Sequence, residues 1–293
     1  MANSTIMIDK KRFREPYSRW KMSESMTAAG LDSLTAYQLS VSIYEDLVEQ
    51  GVTLIPIDEL RSLVLERLSA HEPKVAKRFM TWSRIRHERV PVIILLGGAS
   101  GIGKSSVALE LAHVLGIKQV IGTDTIREIM KNIVAPNLIP ALYHSSYEAW
   151  RSIAYSVKEN KVVVGFREQA AAVSAGVNAA IERSLKEGIS LILEGVHLVP
   201  ELVSQHPNVV MVLLHVENTE THRSRFISRA EATHYHRDAQ QYIDSLEAIG
   251  EIQAYLKESA QRVGVPVIEN KDFETTVSAI LDITTQQMLR IMD

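Results

Sequence analysis

Residues 98–105, Gly-Ala-Ser-Gly-Ile-Gly-Lys-Ser, match G-x-x-x-x-G-K-[ST] at every fixed position. Glycines let a backbone turn sharply and aim its N–H groups inward at phosphate oxygens. A helix that begins there adds unpaired donors and a partial positive charge. The motif therefore implies a nucleoside triphosphate cradled by Gly98, Ala99, Ser100, Gly101, Ile102 and Gly103, with Lys104, Ser105 and Ser106 opening the helix. Lys104 suits the β- and γ-phosphates, and the Ser105 hydroxyl suits Mg²⁺, a hard cation that takes oxygen ligands.

Two carboxylates and several arginines stand where they could complete a phosphoryl transfer. Asp124 follows the apolar run "KQVIG", and Glu194 closes the apolar run "SLILEG". Ligands of open α/β sheets bind at such strand ends. Asp124 could accept the proton of an acceptor hydroxyl, and Glu194 could support the metal. Thr123 and Asp124 also suit a helix cap, a reading that leaves Asp124 no chemistry. Arg127, one turn on, and Arg167, near the start of a later helix, could hold acidic groups of the acceptor. Arg223, Arg225, Arg229 and Arg237 crowd into 15 positions. Arg225 and Arg229 share a helical face. In a phosphotransferase this run forms a closing lid that offsets charge and excludes water; a solvated helix face would give the same run. His222, His234 and His236 lie nearby, but no carboxylate spacing beside them points to a metal site. His197 is assigned no role beyond satisfying its loop.

These residues need a scaffold, and the apolar runs supply one. "PVIILL", "KQVIG", "SLILEG", "NVVMVLLHV" and "VPVIE" are short continuous runs of the kind buried on both faces, with helical patterns between them. The expected fold is α/β: a five-stranded parallel sheet with helices on both faces over 91–293, and a lid over 219–240. Residues 1–75 carry helical patterns and predict a separate small unit of three helices, two of them opening at Ser23 and Ser33. Residues 76–90, rich in basic residues, read as a connector that is partly helical. Within 165–188 the pattern predicts one long helix.

Composition narrows the field. Of 293 residues 46% are apolar and 23% charged, and the net charge is -3, which gives no support to nucleic-acid or membrane-surface binding. No cysteine is present, which excludes disulfides and thiolate metal sites and fits a cytoplasmic setting. No run is long enough to span a membrane. The expected partner is a small acidic substrate; oligomeric state is not encoded in any pattern read here. A dinucleotide loop is excluded because G-x-G-x-x-G is missing, and a guanine-reading N-K-x-D fails because "ENKDF" lacks the spacer. A nucleotide-dependent switch or binding module remains an alternative to a kinase.

Taken together, "GGASGIGKSS", "VIGTDTIREIM", "LYHSSYEAW", "VGFREQ", "LILEGVHLVP" and "VPVIEN" resemble the archaeal 2-phosphoglycerate kinases, in the same order over residues 90–290. The resemblance implies a P-loop kinase using ATP and Mg²⁺ to convert 2-phosphoglycerate to 2,3-bisphosphoglycerate. A mevalonate-3-phosphate 5-kinase of the archaeal mevalonate route looks like the same family, and the quoted motifs fit features common to both acceptors. The amino-terminal part is similar to ATP-cone modules, but "MIDKKRFREP" departs from their leading strand pair and basic-Asp-Gly turn.

Overall fold

The computed structural model describes residues 5–156, 158–232 and 239–292, with side chains 229–232 and 239 excepted. The chain divides into two compact units, Met1–Arg89 with Val114–Gly116, and Val90–His113 with Ile117–Asp293.

In the first unit, β1 (Met7–Asp9) and β2 (Arg14–Pro16) form an antiparallel pair, and β3 (Leu54–Pro56) joins β1 in parallel. The strand pair that "MIDKKRFREP" seemed to lack is therefore present. Its turn is closed by Lys10 N–H donating to the Phe13 carbonyl at 3.0 Å. Four helices accompany the sheet: α1 (Arg19–Thr27), α2 (Ser33–Glu49), α3 (Ile57–His71) and α4 (Pro73–Glu88). Ser18 and Asp32 cap α1 and α2, accepting from Lys21 N–H and Thr35 N–H, whereas Ser23 and Ser33 lie inside the helices. Residues 76–88, expected within a partly helical connector, are helical throughout as part of α4, and Val75, Ala76 and Phe79 join the core of this unit with Leu60, Val64 and Leu68.

The second unit carries the phosphate loop. Its sheet is β5-β6-β4-β7-β8, every neighbour parallel, from β4 (Ile93–Gly97), β5 (Val120–Gly122), β6 (Leu191–Gly195), β7 (Val209–His215) and β8 (Val267–Glu269). All five apolar runs became strands, as expected of segments buried on both faces. The helices between them are α5 (Lys104–Leu115), α6 (Thr123–Lys131), α7 (Lys161–Glu187), α8 (Thr219–Ala232), α9 (Ala239–Asp244) and α10 (Leu246–Val263), with α11 (Phe273–Met292) last. α7 starts four residues before the expected 165, because Asn160 caps it by accepting from Val162 N–H and Val163 N–H. Ile126 of α6 and Val173, Val177 and Ile181 of α7 pack with Leu95 and Leu193 of the strands in one buried cluster.

Register places the chemistry. Gly97 pairs with Gly195, so Leu96 lies level with Glu194; Glu194 also pairs with Gly122. The C-terminal ends of β4, β5 and β6 are therefore flush. The loop after β4, the start of α6 and the Glu194 carboxylate share one rim.

Candidate active site

The chain leaves β4 through Gly98, whose φ of +142° few L-residues adopt. A Cβ there would sit 2.4 Å from the Leu214 carbonyl oxygen. The loop is held from outside by its carbonyls. His222 Nε2 donates to Ser100 O at 2.6 Å; Arg225 Nη1 and Asn270 Nδ2 both donate to Ile102 O at 2.7 Å. Arg225 Nη2 reaches Asn270 O at 2.5 Å. Phe226 stacks between His222 and Tyr242, with ring centroids 5.0 and 4.8 Å away.

Lys104 is buried, and its Nζ donates to Ala99 O at 2.6 Å. Burial lowers its pKa, opposed by Glu194 and then Asp124. Ser105 Oγ donates to Glu194 Oε1 at 2.8 Å. That pair of hard oxygens at the mouth of the loop fits Mg²⁺, which takes few protein ligands and completes its shell with phosphates and water.

Asp124 is exposed in the first turn of α6, whose N-cap is Gly122 with no side-chain cap bond. Neither Thr123 nor Asp124 caps this helix. Arg127 is largely buried. Its Nη1 donates to the His144 carbonyl and its Nη2 to Glu128 Oε1 at 2.8 Å, while its buried Nε has no partner among the described residues.

Behind α6 lies a buried chain of side chains. Thr123 Oγ1 and His197 Nδ1 are 2.9 Å apart, His197 Nε2 and Gln169 Oε1 2.9 Å, and Gln169 Nε2 donates to the carbonyls of Ala141 (2.6 Å) and His144 (2.9 Å). Gly195, at φ +155°, makes room for it: a Cβ there would meet Thr123 Oγ1 at 1.7 Å. Burial presses His197 down to about 4; Asp124 opposes this, and Arg127 and Lys104 reinforce it. An unfolded histidine binds its proton near pH 6.5, whereas this one stays neutral until about 4. His197 therefore adds stability above pH 6.5 that is lost as pH falls toward 4. Urea unfolding across that window should show a shallower pH slope in His197→Asn than in the wild type. Equal slopes would mean that the imidazole protonates normally in the fold.

The candidate residues are not all brought together. Lys104, Ser105, Asp124 and Glu194 share the rim, Arg127 lies one turn on with its guanidinium on the His144 carbonyl and Glu128, and Arg225 braces the loop. Arg167 faces elsewhere, paired with Glu159 at 3.2 Å and lying over the Tyr255 ring in a cleft of about 500 Å³ that Glu201 also lines. Arg223 is exposed. The side chain of Arg229, and Arg237, His234 and His236, lie outside the described residues. Sequence reading missed Asn270, Gln169 and Thr123 as polar partners. The fragment "VPVIEN" ends on Asn270, but nothing local showed that its amide returns to Ile102 across 168 positions.

A parallel sheet with its phosphate loop at the central strand, a buried lysine in that loop and a serine–glutamate pair at its mouth define an ATP-dependent phosphotransferase of the P-loop kinase class. No family model matches the chain. The chain is 41% identical over 279 residues to the 2-phosphoglycerate kinase of Pyrococcus horikoshii, covering 94% of this chain and 92% of that one. It is 37% identical over 289 residues to that of Methanopyrus kandleri, covering 97% and 88%. The chain belongs to the 2-phosphoglycerate kinase family. Among solved structures, shikimate kinase from Acinetobacter baumannii in complex with shikimate covers 69% of this chain and 96% of its own at 15% identity, with a TM-score of 0.40, too slight a likeness to add to this. No helix among the described residues is long and apolar enough to cross a membrane.

Proposed function

We propose that the second unit transfers the γ-phosphoryl group of ATP to the primary hydroxyl of 2-phosphoglycerate, giving 2,3-bisphosphoglycerate. The observation that carries this reading is the convergence of Lys104, the Ser105–Glu194 pair and Asp124 on one rim of the sheet. The curated relatives bear the name of this acceptor. A cytoplasmic setting fits the cysteine-free sequence.

The loop N–H groups and Lys104 bind the triphosphate, Lys104 exchanging Ala99 O for phosphate oxygen. Ser105 and Glu194 would hold Mg²⁺, which when bound would neutralise phosphate charge. Asp124 orients the acceptor hydroxyl. As its oxygen bonds to the γ-phosphorus, the bond to the β,γ-bridging oxygen breaks, ADP leaves with that electron pair, and the proton passes to the Asp124 carboxylate. The acceptor brings a carboxylate and a phosphate to a site already holding a triphosphate, so cations must offset their repulsion. Arg127 serves this purpose as a largely buried positive charge one turn beyond Asp124, its guanidinium held by the His144 carbonyl and Glu128.

ATP consumption should depend on added 2-phosphoglycerate, with 2,3-bisphosphoglycerate as the product. Arg127→Ala should lower kcat/KM for this acceptor about 10²-fold, or about 2.7 kcal/mol, with the KM for ATP within about twofold. Turnover indifferent to 2-phosphoglycerate would overturn the reading. An equal loss toward both substrates would remove Arg127 from the acceptor site.

A further inference from the structure

We propose that the buried chain Gln169–His197–Thr123 is a positioning device for the phosphoryl acceptor, setting the attitude of the helix turn that carries Asp124 and Arg127. This rests on the reading above that Asp124 and Arg127 face the acceptor.

Proton placement in the chain follows from its partners. Both hydrogens of the Gln169 amide are committed, to Ala141 O and His144 O, so Oε1 can only accept. His197 Nε2 must then carry the proton that bridges to it. A neutral imidazole so protonated leaves Nδ1 a bare acceptor, and the Thr123 hydroxyl must donate to it. All three side chains are buried and every bond has one permitted direction. The groups acting on the ring are Asp124, Arg127 and Lys104, which hold opposing charges around an imidazole that stays uncharged.

The chain ends where it matters. Thr123 is the first residue of α6, a helix with no side-chain cap, so its hydroxyl is the side-chain tie that fixes the helix start. Asp124 is the next residue and Arg127 lies one turn on. At the other end, the His144 carbonyl accepts from Gln169 and from Arg127. The first turn of α6 is thus held to the 141–144 segment both through the imidazole and through the guanidinium. Gly195 leaves the threonine hydroxyl the space it needs. None of the three side chains has to touch a reactant.

Thr123→Val keeps the side-chain shape and deletes the donor. In steady-state assays with Mg-ATP and 2-phosphoglycerate, it should raise the acceptor KM about tenfold and leave the KM for ATP within about twofold, the pattern of lost positioning and not of lost folding. Thr123→Ser should restore the wild-type acceptor KM. Where the valine variant does not fold, Thr123→Ala reads the same quantity. Variants lacking the hydroxyl that melt lower but keep the wild-type acceptor KM would overturn the proposal, as would a serine variant no better than valine. Asp124→Asn, run alongside, separates the two levels. If it retains full turnover, the acceptor-site reading itself fails. If it loses turnover while Thr123→Val keeps its acceptor KM, only the positioning device fails.

Discussion

Lys104→Ala loses about 10³-fold in kcat/KM, about 4 kcal/mol of transition-state stabilisation, while melting at the same temperature as the wild type or higher. The two halves have separate causes. Charge on the transferring phosphoryl group needs a fixed cation in a site shielded from water, and the Lys104 ammonium is the buried cation in the loop itself. The fold gains little from it. Its hydrogen bond to Ala99 O offsets the cost of burying a charge only in part, as its lowered pKa records. The loop keeps its shape through His222, Arg225 and Asn270, none of which needs the lysine. Wild-type turnover in the variant would remove the phosphate assignment. Melting many degrees lower would show that Lys104 is part of the loop's framework.

Asp124→Asn should lower kcat by about 10²- to 10⁴-fold with the acceptor KM changed less than about twofold. The substitution keeps size and one oxygen and removes the proton-accepting charge. A helix-capping role would have complicated the result, but Gly122 is the cap residue and no side chain serves it, so stability should fall by no more than about 0.3–1 kcal/mol from the lost charge at the helix start. The measurement is kcat under saturating ATP and acceptor, beside a denaturant titration. Undiminished kcat would leave Asp124 an exposed surface carboxylate and send the search for the base elsewhere.

What could be read from the sequence was whatever repeats locally. The five strands of the main sheet show as apolar runs because burial on both faces leaves polar residues no place in them, and the phosphate loop shows because close backbone approach demands glycine at fixed spacing. Glu194 and Asp124 could be placed because strand ends are legible. Less was visible where partners are remote or signals short. β1 and β2 are three residues each, too short for a strand period to show, and their pairing arises from backbone bonds that leave no pattern. Helix α4 is dense in basic residues, which hid the stripe of Val75, Ala76, Phe79 and Trp82 that it buries. Arg167 looked like a second acceptor arginine because it opens a helix near the site, but its rotation about that helix sends it to Glu159 and Tyr255. The Thr123–His197–Gln169 chain joins residues 74 and 28 positions apart, which no local pattern encodes.

The contacts that brace this site end, repeatedly, on main-chain oxygens: those of Ser100, Ile102 and His144. Every amino acid carries that same atom, so no ordinary substitution at position 100 or 144 can delete it. A mutational scan would therefore score the supported positions by their side chains alone and record the loss only at the donors, His222, Arg225, Asn270, Gln169 and Arg127. The acceptors themselves would become visible only to backbone chemistry, such as replacing the amide after Ser100 or His144 by an ester, which weakens the carbonyl as an acceptor and leaves the side-chain sequence intact. In an enzyme built this way, tolerance to substitution at a loop residue is no measure of how much that residue bears.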